Sequence, residues 1–298
     1  MNPLPILVHH MAALDGWPHP PNTLEMIEAS LNAGAAIIEI DITALADDDY
    51  LLVHDPLLER ETDGQGEVGA CSAQAARTLH FRVNGAVTAY QVPLLSDVVA
   101  LLMRHTHPAQ LQLDFKNAMP FANDEPLRRL INLITPLGQR AIVSSGADWQ
   151  LRQLRRLAPS LRLGFDIMWV IDWSANPSKR HPEELPHTLG AYGYLDDHVL
   201  AQRKIWATVD YLHDRCSALL GLVPNAEVFY VRHTFIAQCL DDGFNLADFL
   251  HAHHIKLDAW TLDIGNPIAE KNALRLRDAK VDFITTNTPL AMATLLQI

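Results

Sequence analysis

Eight short apolar runs, separated by segments of helical spacing, with acids and histidines gathered at the run ends, predict an α/β chain closed into a (β/α)8 TIM barrel. The first run, Ile6 to His9, stops at a pair of histidines, and the second spans Ala36 to Asp41. The third to fifth are Gln110 to Phe115, Ala141 to Ser144 and Arg162 to Phe165. Val228 to Val231, Leu257 to Leu262 and Phe283 to Thr285 complete the set. Between them apolar residues recur every three or four positions, as in Leu151, Leu154 and Leu157, with Arg152, Arg155 and Arg156 on a solvated face. An open doubly wound sheet would more often begin with a glycine-rich turn, and no GxGxxG occurs. Two β-to-α connections are too long for simple turns. One, at about residues 56–92, is an insertion after the second strand; the other, Asp172 to Tyr194, follows the fifth. Both belong on the face that carries the strand C-termini, where they are candidate lids.

The 298 residues, 49% hydrophobic and 19% charged, suffice for a large core, and residues 1–298 are expected to form a single barrel domain. A net charge of -12 argues against a nucleic-acid partner, which needs a basic footprint. Cys71, Cys216 and Cys239 are odd in number and form no CxxC, so neither a disulfide framework nor a thiolate zinc site is expected. The N-terminal Met-Asn-Pro-Leu-Pro-Ile-Leu-Val has no basic stretch, and no run approaches a membrane span. The expectation is a soluble cytoplasmic protein without stable membrane insertion. Its oligomeric state is not encoded in any pattern visible here.

Strand alternation aims Glu39 and Asp41 at one point, and likewise sets Asp114 and Lys116 on one face of the third strand. Oxygen-only ligation by Glu39, Asp41 and Asp114 selects one hard divalent cation, Mg²⁺ or Ca²⁺, rather than zinc. With Lys116 beside it, such a cation suits an anionic substrate, binding a phosphoryl oxygen. Two histidines could divide the proton work: His54, after the run Tyr50 to Val53, and His9 or His10. If His9 faces inward, Ile6 and Val8 face the helices; if His10 does, an imidazole must pack beneath a helix layer. The pleat therefore favours His9. Trp260 either plugs the rim or forms a substrate wall, and Arg232 is expected in a rim salt bridge. His251, His253 and His254 precede the seventh strand and so fall on the opposite face.

In order along the chain stand His9-His10-Met11, Pro20-Pro21-Asn22-Thr23-Leu24, Ile38-Glu39-Ile40-Asp41-Ile42 and Val53-His54-Asp55-Pro56-Leu57-Leu58-Glu59-Arg60, with Thr62 and Gly64-Gln65-Gly66. Asp114-Phe115-Lys116, Trp260-Thr261-Leu262-Asp263 and Thr286-Asn287-Thr288-Pro289 follow. This series resembles the glycerophosphodiester phosphodiesterase family, whose blocks read His-Arg-Gly, Pro-Glu-Asn-Thr-Leu, Ile-Glu-x-Asp-Val and His-Asp-x-x-Leu-x-Arg-Thr-Thr-x-Gly-x-Gly. The resemblance implies a barrel with an insertion after its second strand, one divalent ion, two catalytic histidines, and hydrolysis of glycerophosphodiesters to glycerol 3-phosphate and an alcohol. In that match His9 and His54 are catalytic, His10 stands where the family has arginine, and His10, Lys116 and Trp260 contact substrate.

Pro21 stands for the family's Glu, Asp114 for its third Glu, and Asn287 for Asp. Asp114-Phe115-Lys116, Trp260-Thr261-Leu262-Asp263, Thr286-Asn287-Thr288-Pro289 and His10-Met11 resemble the sphingomyelinase D and phospholipase D toxins, which act on lipid head groups, including those of lysolipids. The chain lacks their cysteine pattern and keeps the Pro-Asn-Thr-Leu and Leu-x-Arg blocks. The favoured expectation is phosphodiester hydrolysis with His54 as base and His9 as acid, the attacking hydroxyl being water or a substrate hydroxyl. The alternatives are the lipid head-group reaction and a catalytically silent barrel that binds phosphodiesters.

Overall fold

The computed structural model describes residues 4–172 and 187–298. In chain order the elements are β1 (Ile6–His9), α1 (Leu24–Asn32), β2 (Ile37–Ala44), β3 (Tyr50–Leu51), α2 (Leu58–Glu61), α3 (Ala73–Ala76), β4 (His80–Val83), β5 (Ala86–Gln91) and α4 (Leu95–Arg104). Then come β6 (Gln110–Phe115), α5 (Glu125–Ile134), β7 (Ala141–Ser145), α6 (Asp148–Leu157), β8 (Arg162–Asp166), α7 (Thr208–Leu220) and β9 (Val228–Arg232). The chain continues through α8 (His233–Asp241), α9 (Leu246–Ala252), β10 (Lys256–Trp260), α10 (Pro267–Asp278), β11 (Phe283–Thr286) and α11 (Pro289–Leu296).

Eight of the strands are parallel and close on themselves. The order runs β1-β11-β10-β9-β8-β7-β6-β2, and β2 returns to β1 through Val8↔Ile37 and His9↔Ile38. All eight runs expected from the sequence are barrel strands. Each is flanked by a helix whose apolar stripe covers it: in α4, Leu95, Val98, Val99, Leu101 and Leu102 are buried. Capping fixes where several helices begin. Thr23 Oγ1 accepts the Met26 N–H of α1 at 3.2 Å, and Asn266 Oδ1 accepts from Ile268 and Ala269 ahead of α10.

Every residue of β2 is buried. Ile38, Ile40 and Ile42 enter the layer between sheet and helices, whereas Ile37 joins Val8, Ile142, Val228, Tyr230 and Phe283 inside the barrel. That apolar floor closes the lower half, so inward side chains nearer the strand C-termini form the walls of a cup. Gly164 makes room for the Tyr230 ring, against which any Cβ would collide. One carboxyl is trapped in the floor. Asp258 is 0% exposed, accepts the Thr285 hydroxyl at 2.9 and 3.0 Å, and is pushed up to about 7 by burial.

The connection that follows β2 carries structure of its own. The short β3 pairs antiparallel with the end of β2 through Thr43↔Leu51, carrying β2 on to Ala44 rather than Asp41. Residues 56–92 add α2, α3 and a β4–β5 hairpin around their own small core of Leu51, Val53, Leu58, Val68, Phe81 and Leu94. Asn84 and Gly85, at φ 50° and 82°, make the hairpin turn, a geometry these two residues adopt at little cost. In the second long connection, residues 173–186 lie outside the described residues. Its later part is pinned by Asp196, which accepts Arg215 Nε at 2.6 Å, Arg215 Nη2 at 3.0 Å and the Tyr211 hydroxyl at 2.6 Å.

Candidate active site

At the mouth of the cup three carboxylates converge. Glu39 and Asp41 leave β2 on its inner face, and Asp114 lies in register with Asp41 on β6. One oxygen from each falls within 4.8 Å of the others, a spread that one hard cation can bridge with bonds of about 2.0–2.6 Å. Glu39 Oε2 accepts the Met11 N–H at 2.7 Å, and Asp41 Oδ2 accepts Asn22 Nδ2 at 3.1 Å. Lys116 Nζ lies 2.9 Å from Asp41 Oδ1 and 2.5 Å from Asp114 Oδ2.

With all three carboxylates ionised against the one ammonium, the cluster would carry two negative charges, the complement of a divalent cation. Burial raises the Glu39 carboxyl well above its ordinary range, and Asp41 and Asp114 push it further. Burial also works against the Asp41 carboxylate, but Lys116, then His54 and His10, outweigh it and hold its pKa down. Burial opposes the charge on Lys116, yet Asp114, Asp41 and Glu39 raise its pKa above the ordinary value. Asn22 Oδ1 is buried without a hydrogen-bond partner among the described residues, one more oxygen beside this cluster. The donor set is oxygen throughout, which suits a hard cation.

The expectation that His9 faces inward is corrected. Val8 shares register with Ile37 on the inner face, so the pleat turns His9 outward and His10 inward. His9 is 7% exposed, its Nδ1 3.1 Å from Ser30 Oγ on α1, and Ser30 in turn donates to Ala12 O at 2.6 Å. Burial lowers the His9 pKa to about 4. The helix layer therefore does hold an imidazole, made tolerable by the serine hydroxyl.

His10 reaches the cluster. Its Nε2 is 3.9 Å from Glu39 Oε2, and its Nδ1 is 2.9 Å from Asn287 Oδ1. Asn287 is itself oriented, with Nδ2 donating to Asp263 Oδ2 at 2.8 Å and its backbone N–H to Asp263 Oδ1 at 2.7 Å. Asp263 and Asn287 thus act through His10, a connection that the motif order alone did not reveal. After His10 the chain turns through left-handed backbone at Met11 (φ 49°) and Ala12 (φ 58°), which delivers the Met11 N–H to Glu39. Ala12 occupies a left-handed position that glycine would fill at least cost.

His54 lies beyond β3 at the rim, open to solvent on one side. Lys116 first, and partial burial second, lower its pKa, with Asp41, Asp114 and Asp55 opposing. Trp260 packs on the apolar floor, and the Arg232 guanidinium lies 5.7 Å from its ring centroid. Arg232 also pairs with Asp172 at 3.7 Å, the expected rim ion pair. Asp166, at the end of β8, was not singled out from sequence. Burial pushes its carboxyl up to about 7, with Asp114 adding to the effect, and its Oδ1 accepts the Met168 N–H at 2.9 Å. His251 is remote from the mouth, at the end of α9, with Nε2 2.8 Å from Asp282.

Among the described residues no helix is long and apolar enough to cross a membrane. The model of the glycerophosphoryl diester phosphodiesterase family matches residues 16–291. A glycerophosphodiester phosphodiesterase of Caldanaerobacter subterraneus subsp. tengcongensis is 23% identical over 147 residues, 49% of this chain and 60% of that protein. One from Bacillus altitudinis is 26% identical over 184 residues, 59% of this chain and 69% of that protein. Among solved structures, a glycerophosphodiester phosphodiesterase of Parabacteroides distasonis superposes with a TM-score of 0.69 at 15% identity, covering 100% of this chain and 98% of that one. An Oleispira antarctica phosphodiesterase, solved with the product sn-glycerol-3-phosphate, superposes with a TM-score of 0.65 at 17% identity, covering 99% and 98%. The structural likeness shows a shared barrel, and the family match extends over nearly the whole of it: this chain belongs to the glycerophosphoryl diester phosphodiesterase family.

Proposed function

We propose that the protein hydrolyses glycerophosphodiesters to glycerol 3-phosphate and an alcohol, at a site where Glu39, Asp41 and Asp114 hold one Mg²⁺ or Ca²⁺. The observation that carries this reading is the convergence of those three carboxylates with Lys116, His10 and His54 at one mouth of a barrel of this family. The product bound by the Oleispira phosphodiesterase is the one expected here. A divalent cation at the carboxylates would supply positive charge to a non-bridging phosphoryl oxygen. Lys116 adds a second cationic contact on the same group.

His54, its pKa lowered by Lys116, is a neutral imidazole able to take the proton of the attacking hydroxyl. His10, acting from its imidazolium form, gives its Nε2 proton to the leaving oxygen. Asn287 Oδ1 accepts from its Nδ1, which directs Nε2 toward the cluster, beside Glu39. Trp260 and the Arg232 guanidinium over its ring add to the wall of the mouth. The two long connections, on the strand C-terminal face, govern the choice of head group. The protein is expected to act as a single barrel domain on a small-molecule substrate.

The test is release of glycerol phosphate from glycerophosphocholine and glycerophosphoethanolamine, alongside choline release from lysophosphatidylcholine and sphingomyelin, each with Mg²⁺, Ca²⁺ or EDTA. Cation-dependent turnover of the first pair supports the reading. Turnover of the second pair alone replaces it with a lipid head-group reaction, and failure on all four with cation bound replaces it with phosphodiester binding. Product analysis in labelled water distinguishes attack by water from closure of a cyclic phosphate.

A further inference from the structure

His54 is placed by its backbone. Among the described residues the imidazole has no hydrogen-bond partner, so the peptide groups on either side set where the ring can reach. On the N-terminal side Thr43 Oγ1 donates to the Val53 carbonyl at 3.0 Å. On the C-terminal side a single carboxylate oxygen, Glu61 Oε1, accepts the N–H of His54 at 3.0 Å and the N–H of Asp55 at 2.6 Å. Asp55 continues the brace by accepting the Leu57 N–H on its Oδ1 at 3.0 Å.

Glu61 is itself held at its root. It ends α2, and the next residue, Thr62, is 0% exposed, with its N–H on Leu58 O at 2.8 Å and its hydroxyl on the same carbonyl at 2.7 Å. In the family block His-Asp-x-x-Leu-x-Arg-Thr-Thr this position is the first threonine. A carboxylate there reaches further than a threonine hydroxyl and makes two charge-assisted bonds to one turn of backbone. Burial and the Asp41 charge oppose ionisation of Glu61, raising its pKa to about 7, while the two amides pull the other way.

We propose that Glu61 is a positioning residue for His54: by clamping two successive amides it holds the imidazole at the Lys116–carboxylate cluster, replacing the threonine of the family block. This rests on the hydrolytic reading above. Glu61→Ala removes the acceptor, whereas Glu61→Gln keeps an oxygen at the same reach. In the alanine variant kcat on glycerophosphocholine, with saturating cation, should fall about 100-fold with KM unchanged, the loss typical of a misplaced reacting group. Glutamine should restore kcat to within about tenfold.

Alanine kcat within twofold of the parent, or equal losses in alanine and glutamine, overturns the clamp. If the alanine variant does not fold, Glu61→Thr serves in its place and should show the same split in milder form. Amide hydrogen exchange at His54 and Asp55 gives a readout free of turnover: faster in the alanine (or threonine) variant and near parental in glutamine, with unchanged exchange on loss of the carboxylate overturning the proposal. His54→Ala separates the two levels. Full activity in that variant removes His54 from the mechanism, whereas an inactive His54→Ala beside a fully active Glu61→Ala removes only the clamp.

Discussion

Asp258 makes the stability of this barrel depend on pH in a way that one substitution exposes. Its carboxyl is 0% exposed in the barrel floor, with the Thr285 hydroxyl as its hydrogen-bond donor, and burial raises its pKa from 3.8 to about 7. As pH rises, the unfolded chain loses this proton first, near the ordinary value, and the folded chain keeps it until near neutrality. Between those points the unfolded state binds fewer protons, so stability falls by about 1.4 kcal/mol per pH unit and flattens above the folded pKa. The full span of about three units is worth about 4 kcal/mol, of which about 3 kcal/mol falls between about pH 5 and about pH 8. Asp258→Asn removes the titration. The new amide N–H groups cost about 1–3 kcal/mol if unpaired, but that cost is independent of pH and cancels when the difference between variant and parent is followed. Urea unfolding of both proteins across that range should show the variant gaining about 3 kcal/mol on the parent toward alkaline pH. Parallel curves would refute the reasoning, because they would mean that Asp258 titrates alike in the folded and unfolded chain.

Two further outcomes follow from the floor and the cup. Gly164→Ala drives a methyl into the Tyr230 ring and should cost about 1–3 kcal/mol, read as a lower urea midpoint; an unchanged midpoint would mean that the ring is not seated there. Mg²⁺ or Ca²⁺ at about 100 times its Kd should stabilise the parent by about 2.7 kcal/mol, seen as a rise of several degrees in Tm. Asp41→Asn should abolish that rise, and an undiminished rise would place the cation elsewhere.

Much of this molecule was legible because its chemistry rides on periodic elements. Residues Ile38 to Ile42 of β2 alternate apolar and acidic side chains, so Glu39 and Asp41 could be assigned to one face, and the in-register β6 then brought Asp114 and Lys116 to the same point. The first strand was harder. Only four residues long, with Ile6 43% exposed and Val8 on the inner face, it carries too weak a hydropathy pattern to set its pleat. The preference for His9 over His10 came out reversed for that reason. The positive φ of Met11 and Ala12 had no sequence signal because no glycine stands there.

The β4–β5 hairpin did carry one, Asn84-Gly85, which is the usual mark of a two-residue turn. Glu61, Asp166 and the Asp263–Asn287–His10 chain escaped because each depends on contacts between segments that spacing along the chain does not encode.

Glycerol phosphate release by His9→Gln and His10→Ala, compared with the parent under saturating cation, shows which histidine serves the carboxylate cluster. His10→Ala should lose about 100- to 10,000-fold, the range expected for removal of a general acid. Folded His9→Gln should stay within tenfold of the parent, since its ring lies beneath α1 on Ser30. The reverse order, or two equally active variants, would contradict the assignment of this carboxylate cluster and His10 as the reacting centre.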